Sequence, residues 1–171
     1  MWQQRIHSIL GESRRRGDEQ ITLEEINAEP RNHSWFPFQL AFILLNLAPL
    51  ADLQHADRST EDKAEADLLW FPTGGGKTEA YLGLTAFTLA VRRLQGIVEG
   101  FDGNAGVAVL MRYTLRLLTL QQFQRAATLI CACEEIRRED VNKWGSYPFR
   151  IGLWVGSKTT PNKTEHSAES I

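Results

Sequence analysis

Short apolar runs alternate along the chain with longer stretches in which apolar residues recur at helical spacing. Three runs, residues 68–71, 106–111 and 149–155, have the length and content of strands buried on both faces. Between them, residues 79–94 and 117–137 show the periodicity of helices. The order strand, helix, strand, helix, strand favours right-handed crossovers that align the strands in parallel. The pattern therefore predicts an α/β fold with a parallel sheet flanked by helices.

The region before the first predicted strand carries local helix signals. Thr22 is a candidate N-cap, with Glu24 and Glu25 in the first turn of a predicted helix. Pro37 suits the first position of an apolar helix that we expect to pack against the sheet. Residues 51–67 are polar with little periodicity, which indicates an exposed connection. We therefore divide the chain into an N-terminal extension, residues 1–34, and one domain, residues 35–171.

The segment between the first strand and the next helix, residues 72–78, reads Pro-Thr-Gly-Gly-Gly-Lys-Thr, and we name it the glycine loop. Successive glycines let the backbone turn tightly and bring N–H groups close to phosphate oxygens, at the positive end of the following helix. Lys77 is expected to reach the β- and γ-phosphates of ATP and Thr78 to bind Mg²⁺, so both are candidate catalytic residues. The candidate nucleotide-binding residues here are Thr73, Gly74, Gly75, Gly76, Lys77, Thr78 and Glu79. ATP and Mg²⁺ are therefore the predicted cofactors.

Phe71 stands where the strict nucleotide-loop pattern has its first glycine. With that position relaxed, Pro-Thr-Gly-x-Gly-Lys-Thr resembles motif I of the superfamily-2 helicases and translocases. The resemblance extends over residues 35–162 and implies a RecA-like lobe that couples ATP hydrolysis to movement along nucleic acid. A P-loop phosphotransferase is a weaker alternative, because Phe71 disfavours it.

An aromatic residue and a glutamine precede the glycine loop in the sequence. In superfamily-2 proteins a glutamine at such a place reads the adenine edge, and Phe38–Gln39 resembles that Q-motif. The amide of Gln39 offers both a donor and an acceptor, which match the N6 and N7 atoms of adenine. The resemblance thus makes Gln39 a cofactor-binding candidate, although a plain position on the helix surface stays open.

A second candidate segment lies where the second predicted strand gives way to a helix. Its place resembles motif Ia of superfamily-2 proteins, which grips the backbone of a nucleic-acid strand. The Thr114 hydroxyl, with Arg112 or Arg116, supplies donors for successive phosphates. The alternative is that these arginines lie on a solvated helix start. Nucleic acid is therefore an expected partner, with DNA favoured over RNA.

A third segment makes the resemblance more specific, because it points to one group of proteins within the superfamily. Together with the glycine loop and Phe38–Gln39, the run Gly-Leu-Trp-Val-Gly-Ser-Lys-Thr-Thr-Pro-Asn at residues 152–162 looks similar to the helicase component of bacterial DISARM-type anti-phage systems. The expected function is ATP binding in the N-terminal segment of a DNA helicase or translocase used in phage defence. The alternative is a non-catalytic nucleotide- or nucleic-acid-binding module that acts through a partner chain.

Hydrolysis in such a motor requires an acidic pair that holds Mg²⁺ and an arginine finger. Neither is evident in residues 1–171, so we expect a partial lobe, truncated before the Asp-Glu motif, that binds ATP with negligible turnover of its own. Its expected partner is the C-terminal half of the motor or a separate chain.

Composition adds few constraints. The 171 residues carry a net charge of -2, so any contact with nucleic acid has to come from a local cluster of cations. Cys131 and Cys133 are expected to be buried core thiols, because no second pair completes a zinc site. The chain has no apolar run of membrane-spanning length and no signal-peptide pattern, so a cytoplasmic location without a membrane partner is expected.

Overall fold

The computed structural model describes residues 22–58, 64–70, 76–113 and 116–154, together with Ile9, Ser13 and Gly17. These residues are mainly helical. The helices are α1 (Leu23–Ala28), α2 (Pro37–Ala51), α3 (Lys77–Gln95), α4 (Arg116–Glu139) and α5 (Val141–Trp144), with 3₁₀ turns at Pro30–His33 and Ala56–Arg58. No helix among these residues is long and apolar enough to cross a membrane.

The helix starts predicted from local signals are confirmed. The Thr22 N–H donates to Glu25 Oε2 at 2.9 Å, and the Glu25 N–H donates to Thr22 Oγ1 at 3.2 Å. This reciprocal pair forms a complete capping box at α1, which satisfies two backbone donors that the helix itself leaves unpaired. Pro37 is the first residue of α2, where its missing N–H costs nothing.

The packing of α2 against α3 dominates the tertiary structure, and α3 also contacts α4 and α5. The two helices approach closely at Gly83. A Cβ atom there would lie 2.8 Å from Trp35 Cη2 and 2.9 Å from Ile43 Cδ1, so the absence of a side chain makes room for both. Ala80 and Leu82 of α3 are fully buried beside this contact. The core of the described region therefore lies along α3.

The buried stripe of α3 is more polar than its sequence predicts. Thr85 and Thr88 are buried, and their hydroxyls donate to the carbonyl oxygens of Tyr81 and Leu84 at 2.8 Å each. These local bonds satisfy the hydroxyls within the helix. Leu94, near the end of the same helix, is 57% exposed.

The described residues contain one sheet, a two-stranded antiparallel hairpin of β1 (Ile97–Val98) and β2 (Phe101–Asp102). The described parts of the three predicted strands pair with nothing, so the parallel sheet stays a prediction. Leu68, Leu110 and Trp154 of those segments are 86%, 87% and 99% exposed. Helix α2, which we expect to pack against that sheet, packs on α3 in the described region.

A cluster of charged side chains on α3 and α4 contacts the segment that follows α5. Arg137 donates to both carboxylate oxygens of Glu134 at 2.7 and 2.8 Å and to the Gly145 carbonyl at 2.9 Å. The Phe149 N–H donates to Glu134 at 2.9 Å, while the Arg93 guanidinium of α3 lies 4.8 Å from the centre of the Phe149 ring. These contacts hold Phe149, the first residue of the third predicted strand, against α3 and α4.

The cysteines of α4 do not lie in a core. Cys131 is exposed and Cys133 is half-buried. The expectation of two buried core thiols is therefore wrong for Cys131, because positions two apart on a helix point to different faces.

Candidate nucleotide-binding site

Gly76 lies in the glycine loop and is the N-cap residue of α3. Its backbone is left-handed, with φ 89° and ψ 21°. A Cβ atom there would lie 2.8 Å from Gln39 Nε2, so both the conformation and the space require glycine. Three predicted residues of the loop, Thr73, Gly74 and Gly75, lie outside the described residues. The described part of the loop thus consists of a tight left-handed entry into a helix.

Lys77 and Thr78 occupy the first turn of α3, and both are half-buried. N–H groups in the first turn have no carbonyl partner within the helix, and they carry the positive end of the helix dipole. A glycine at the N-cap, followed directly by the Lys77 ammonium and the Thr78 hydroxyl, is compatible with a bound phosphate. The residues present therefore fit the predicted roles of Lys77 toward ATP phosphates and Thr78 toward Mg²⁺.

Gln39 joins α2 to this cap. Its Nε2 donates to the Gly76 carbonyl at 2.7 Å, and its Oε1 accepts from the Phe36 N–H at 2.9 Å. The side chain is 3% exposed, so a plain position on the helix surface is wrong. Adenine reading by Gln39 stays a prediction, since the described contacts use its acceptor and one of its donors within the protein.

Glu79, predicted from the sequence to lie at the site, has a partner that the sequence pattern does not indicate. Arg125 of α4 donates to Glu79 Oε1 and forms an ion pair with it across 46 residues of chain. The second oxygen, Oε2, is buried and has no hydrogen-bond partner among the residues that the structure describes. It lies 3.5 Å from the position that a Cβ of Gly76 would take. A carboxylate therefore reaches the cap of α3 without bonding to it.

Two tyrosines lie next to this ion pair. Burial raises the pKa of Tyr81, the Glu79 carboxylate raises it further, and Arg125 opposes both. Burial also raises the pKa of Tyr113, with Tyr81 adding to the shift and Arg125 opposing it. Tyr113 also donates to Met111 Sδ at 3.9 Å. The chain just before α4 therefore lies close to the first turns of α3.

The predicted nucleic-acid residues are only partly described. Arg112 is exposed, immediately before the half-buried Tyr113. Thr114 lies outside the described residues, and Arg116 begins α4 with its side chain likewise outside them. Tyr113, the neighbour of Arg112, lies near Arg125, which pairs with Glu79 in the first turn of α3. Arg112 and Lys77 therefore belong to segments that lie close together.

A separate open groove of about 860 Å³ lies at the other end of α3. It is bordered by the 3₁₀ turn at Ala56–Arg58, the end of α3 and the β1–β2 hairpin. Gln54 Nε2 donates to Glu99 Oε2 across it at 2.7 Å. Its lining includes none of the predicted site residues. Ligand binding in this groove can therefore be told apart from ligand binding at the glycine loop.

A relative of the chain is found among known proteins. No protein-family model matches the chain. No solved structure matches it either. Over 157 residues, which are 91% of this chain, the sequence is 50% identical to the DISARM protein DrmA of Bacillus paralicheniformis. The chain spans 13% of the length of that curated relative. Over most of its length, the chain is therefore related to a segment of the DISARM protein DrmA.

Proposed function

We propose that the chain carries the nucleotide-binding segment of an ATP-dependent DNA helicase or translocase that acts in bacterial phage defence. The observation that carries the proposal is the cap of α3, where left-handed Gly76 leads directly into Lys77 and Thr78. The similarity to a DISARM protein supports the defence setting. The superfamily-2 resemblance of the glycine loop supports the class of motor.

Each part of the site has a proposed role. The glycine loop and the N-terminus of α3 hold the ATP phosphates, Lys77 neutralises the β- and γ-phosphates, and Thr78 binds Mg²⁺. The segment from Arg112 to Arg116 holds the sugar-phosphate backbone of DNA. The three apolar segments at residues 68–71, 106–111 and 149–155 form a parallel sheet in the complete motor lobe.

Titration of a fluorescent ATP analogue with Mg²⁺ tests the proposal. A charge-assisted hydrogen bond contributes about 1.5 to 3 kcal/mol, so Lys77→Ala should weaken binding about 10- to 150-fold. Lys143→Ala is the matched control, because it removes an exposed lysine from α5, away from the glycine loop. Equal affinity of the two variants would remove Lys77 from the site.

One observation favours a second candidate function, a non-catalytic nucleotide-binding module that acts through a partner chain. Trp70 and Trp154 are 85% and 99% exposed, and large aromatic side chains of this kind are enriched where proteins meet. ATP turnover by a longer protein containing this segment separates the two candidates. Turnover that Lys77→Ala abolishes supports the motor, whereas ATP binding without turnover supports the module.

A further inference from the structure

The exposed side of α2 consists entirely of apolar residues. Helix α2 contains no charged residue. Its two polar side chains, Gln39 and Asn46, are buried and half-buried respectively, and both are hydrogen-bonded. The exposed residues of α2 recur at the spacing of one helical face, and we name them the apolar stripe: Pro37, Leu40, Ala41, Leu44, Leu45 and Ala48.

Helix α3 packs on the other side of α2. That side carries Gln39, which bonds to Gly76, and Ile43, which lies against Gly83. The leucines of the stripe stay exposed to 46%, 57% and 63% in chain order. A helix that is apolar on every side is typical of one that has a partner on every side, and contiguous exposed apolar surface marks contacts between proteins.

The chemistry of the stripe restricts the partner that fits it. A charged or polar partner group placed on the stripe would lose its water and find no hydrogen-bonding or charged side chain in return. The matching surface is therefore another apolar helix face without charge. A second copy of α2 meets this condition, and pairing two copies brings no like charges together because α2 has none.

The spacing of the stripe also makes it self-complementary. If a two-fold axis passes between residues 42 and 43 of two antiparallel α2 helices, Leu40 faces the partner's Leu45. Ala41 then faces the partner's Leu44, so a small residue meets a large one, as close helix packing requires. Pro37 faces the partner's Ala48 in the same way. Each position of the stripe thus has another position of the stripe opposite it.

We infer that the apolar stripe is a contact surface between two copies of this chain, which pair through antiparallel α2 helices in a two-fold symmetric dimer. The 15 residues of α2 span about 22 Å. A contact of one helix length is smaller than the roughly 800 Å² per partner of stable interfaces, so the dimer is weak, with a Kd on the order of 10 to 100 µM. The inference does not depend on nucleotide binding.

Analytical ultracentrifugation of the whole chain tests the inference. From about 5 to about 500 µM, a range that brackets the expected Kd, the wild type should change from monomer to dimer. Leu44→Glu should weaken dimerisation at least about 30-fold, because it buries a carboxylate from each copy in an apolar contact. Leu94→Glu is the matched control, since Leu94 of α3 is likewise 57% exposed and lies outside the stripe.

The outcomes of this experiment are separable. Circular dichroism shows whether each variant folds, and Ala41→Glu, at a second exposed position of the stripe, should weaken dimerisation as well. A wild type that stays monomeric at about 500 µM would mean that a different polypeptide covers the stripe, which overturns the inference. Assemblies larger than a dimer, or equal losses in Leu44→Glu and Leu94→Glu, would indicate general apolar association and overturn it too.

Cysteine cross-linking tests the antiparallel arrangement. In a background with Cys131→Ser and Cys133→Ser, a mixture of Ala41→Cys and Leu44→Cys chains should form mixed disulfide dimers. Either variant alone should cross-link several times more slowly, because its cysteines are offset by three residues, about 4.5 Å along the helix. Faster cross-linking of each variant with itself would indicate parallel helices and contradict the proposed dimer.

Discussion

The side-chain amide of Gln39 and the backbone carbonyl of Gly76 are joined by a 2.7 Å hydrogen bond across 37 residues of chain. The same amide accepts from the Phe36 N–H, so one buried side chain links the start of α2 to the cap of α3. A buried amide bonded on both sides favours one geometry, because any movement leaves a polar group unpaired. The orientation of the proposed phosphate site therefore depends on a residue outside the glycine loop.

Gln39→Ala should lower the free energy of unfolding by about 1 to 3 kcal/mol, since it leaves the Phe36 N–H and the Gly76 carbonyl without this partner. If Gln39 supports the loop, affinity for ATP and for GTP should fall by the same factor. Denaturant unfolding and paired titrations with the two nucleotides check this.

Asn46→Ala is the matched control for Gln39→Ala. The described bond of the Asn46 amide is to the Phe42 carbonyl within α2, so its loss should leave nucleotide affinity intact. A loss confined to ATP in Gln39→Ala would contradict the supporting role and favour adenine reading by this side chain.

Gly76→Ala should destabilise the chain more than Gly100→Ala. Both glycines have left-handed backbones, with φ 89° and 83°, so both substitutions carry the conformational cost of about 1 to 2 kcal/mol. The added methyl of Gly76→Ala would lie 2.8 Å from Gln39 Nε2, whereas no atom of the described residues lies within 4 Å of the same position at Gly100. Thermal unfolding of both variants measures the difference, and equal losses would mean that Gln39 yields without cost.

The elements that the sequence predicts well are those with local causes. The cap at Thr22, the start at Pro37 and the extent of α3 depend on residues a few positions apart. Parallel strands depend on partners distant in sequence, and the described apolar segments around Leu68 and Leu110 have none. A strand pattern leaves the choice of pairing partner to the rest of the fold, so the parallel sheet stays a prediction.

Glu134→Gln should remove an acid-sensitive part of the stability. Hydrogen bonds from Arg137 lower the pKa of Glu134 from its ordinary 4.5 to about 2, and the Phe149 N–H contributes. Because the folded pKa lies below the unfolded one, the stabilisation is complete above about pH 4.5 and is lost as pH falls toward 2. Urea unfolding measures the free energy of unfolding from pH 6 to pH 2.5. The difference between the wild type and Glu134→Gln should shrink as the pH falls.

Glu135→Gln is the matched comparison for this pH series. Glu135 is 70% exposed and pairs with Arg138 on the helix surface, so its variant should follow the wild type across the whole range. A constant difference between wild type and Glu134→Gln at all pH values would contradict the linkage.

Arg112→Ala should weaken binding of a labelled single-stranded DNA and lower the salt dependence. Removing one phosphate contact reduces the slope of log affinity against log salt by about 0.7. Fluorescence anisotropy over a salt series measures both quantities. Arg150→Ala, another exposed arginine, is the control, and an equal effect of both variants would contradict a specific role for Arg112.

The glycine loop of the candidate site can be located from the sequence, whereas the contacts that support it cannot. Glycine, lysine and threonine in a fixed order identify the loop because backbone geometry and charge are local properties. The bond from Gln39 to Gly76 and the ion pair of Glu79 with Arg125 span 37 and 46 residues, so they exist only once α2, α3 and α4 have packed. No local pattern in the sequence marks Arg125.

NMR mapping of the labelled chain with Mg²⁺ and ATP shows directly whether nucleotide phosphate binds at the N-terminus of α3. If it does, amide shifts should concentrate at Gly76, Lys77 and Thr78 and should disappear in Lys77→Ala. Shifts at Gly96 and Gly103, which line the groove at the other end of α3, would contradict it. An unchanged spectrum at saturating ATP would contradict it equally.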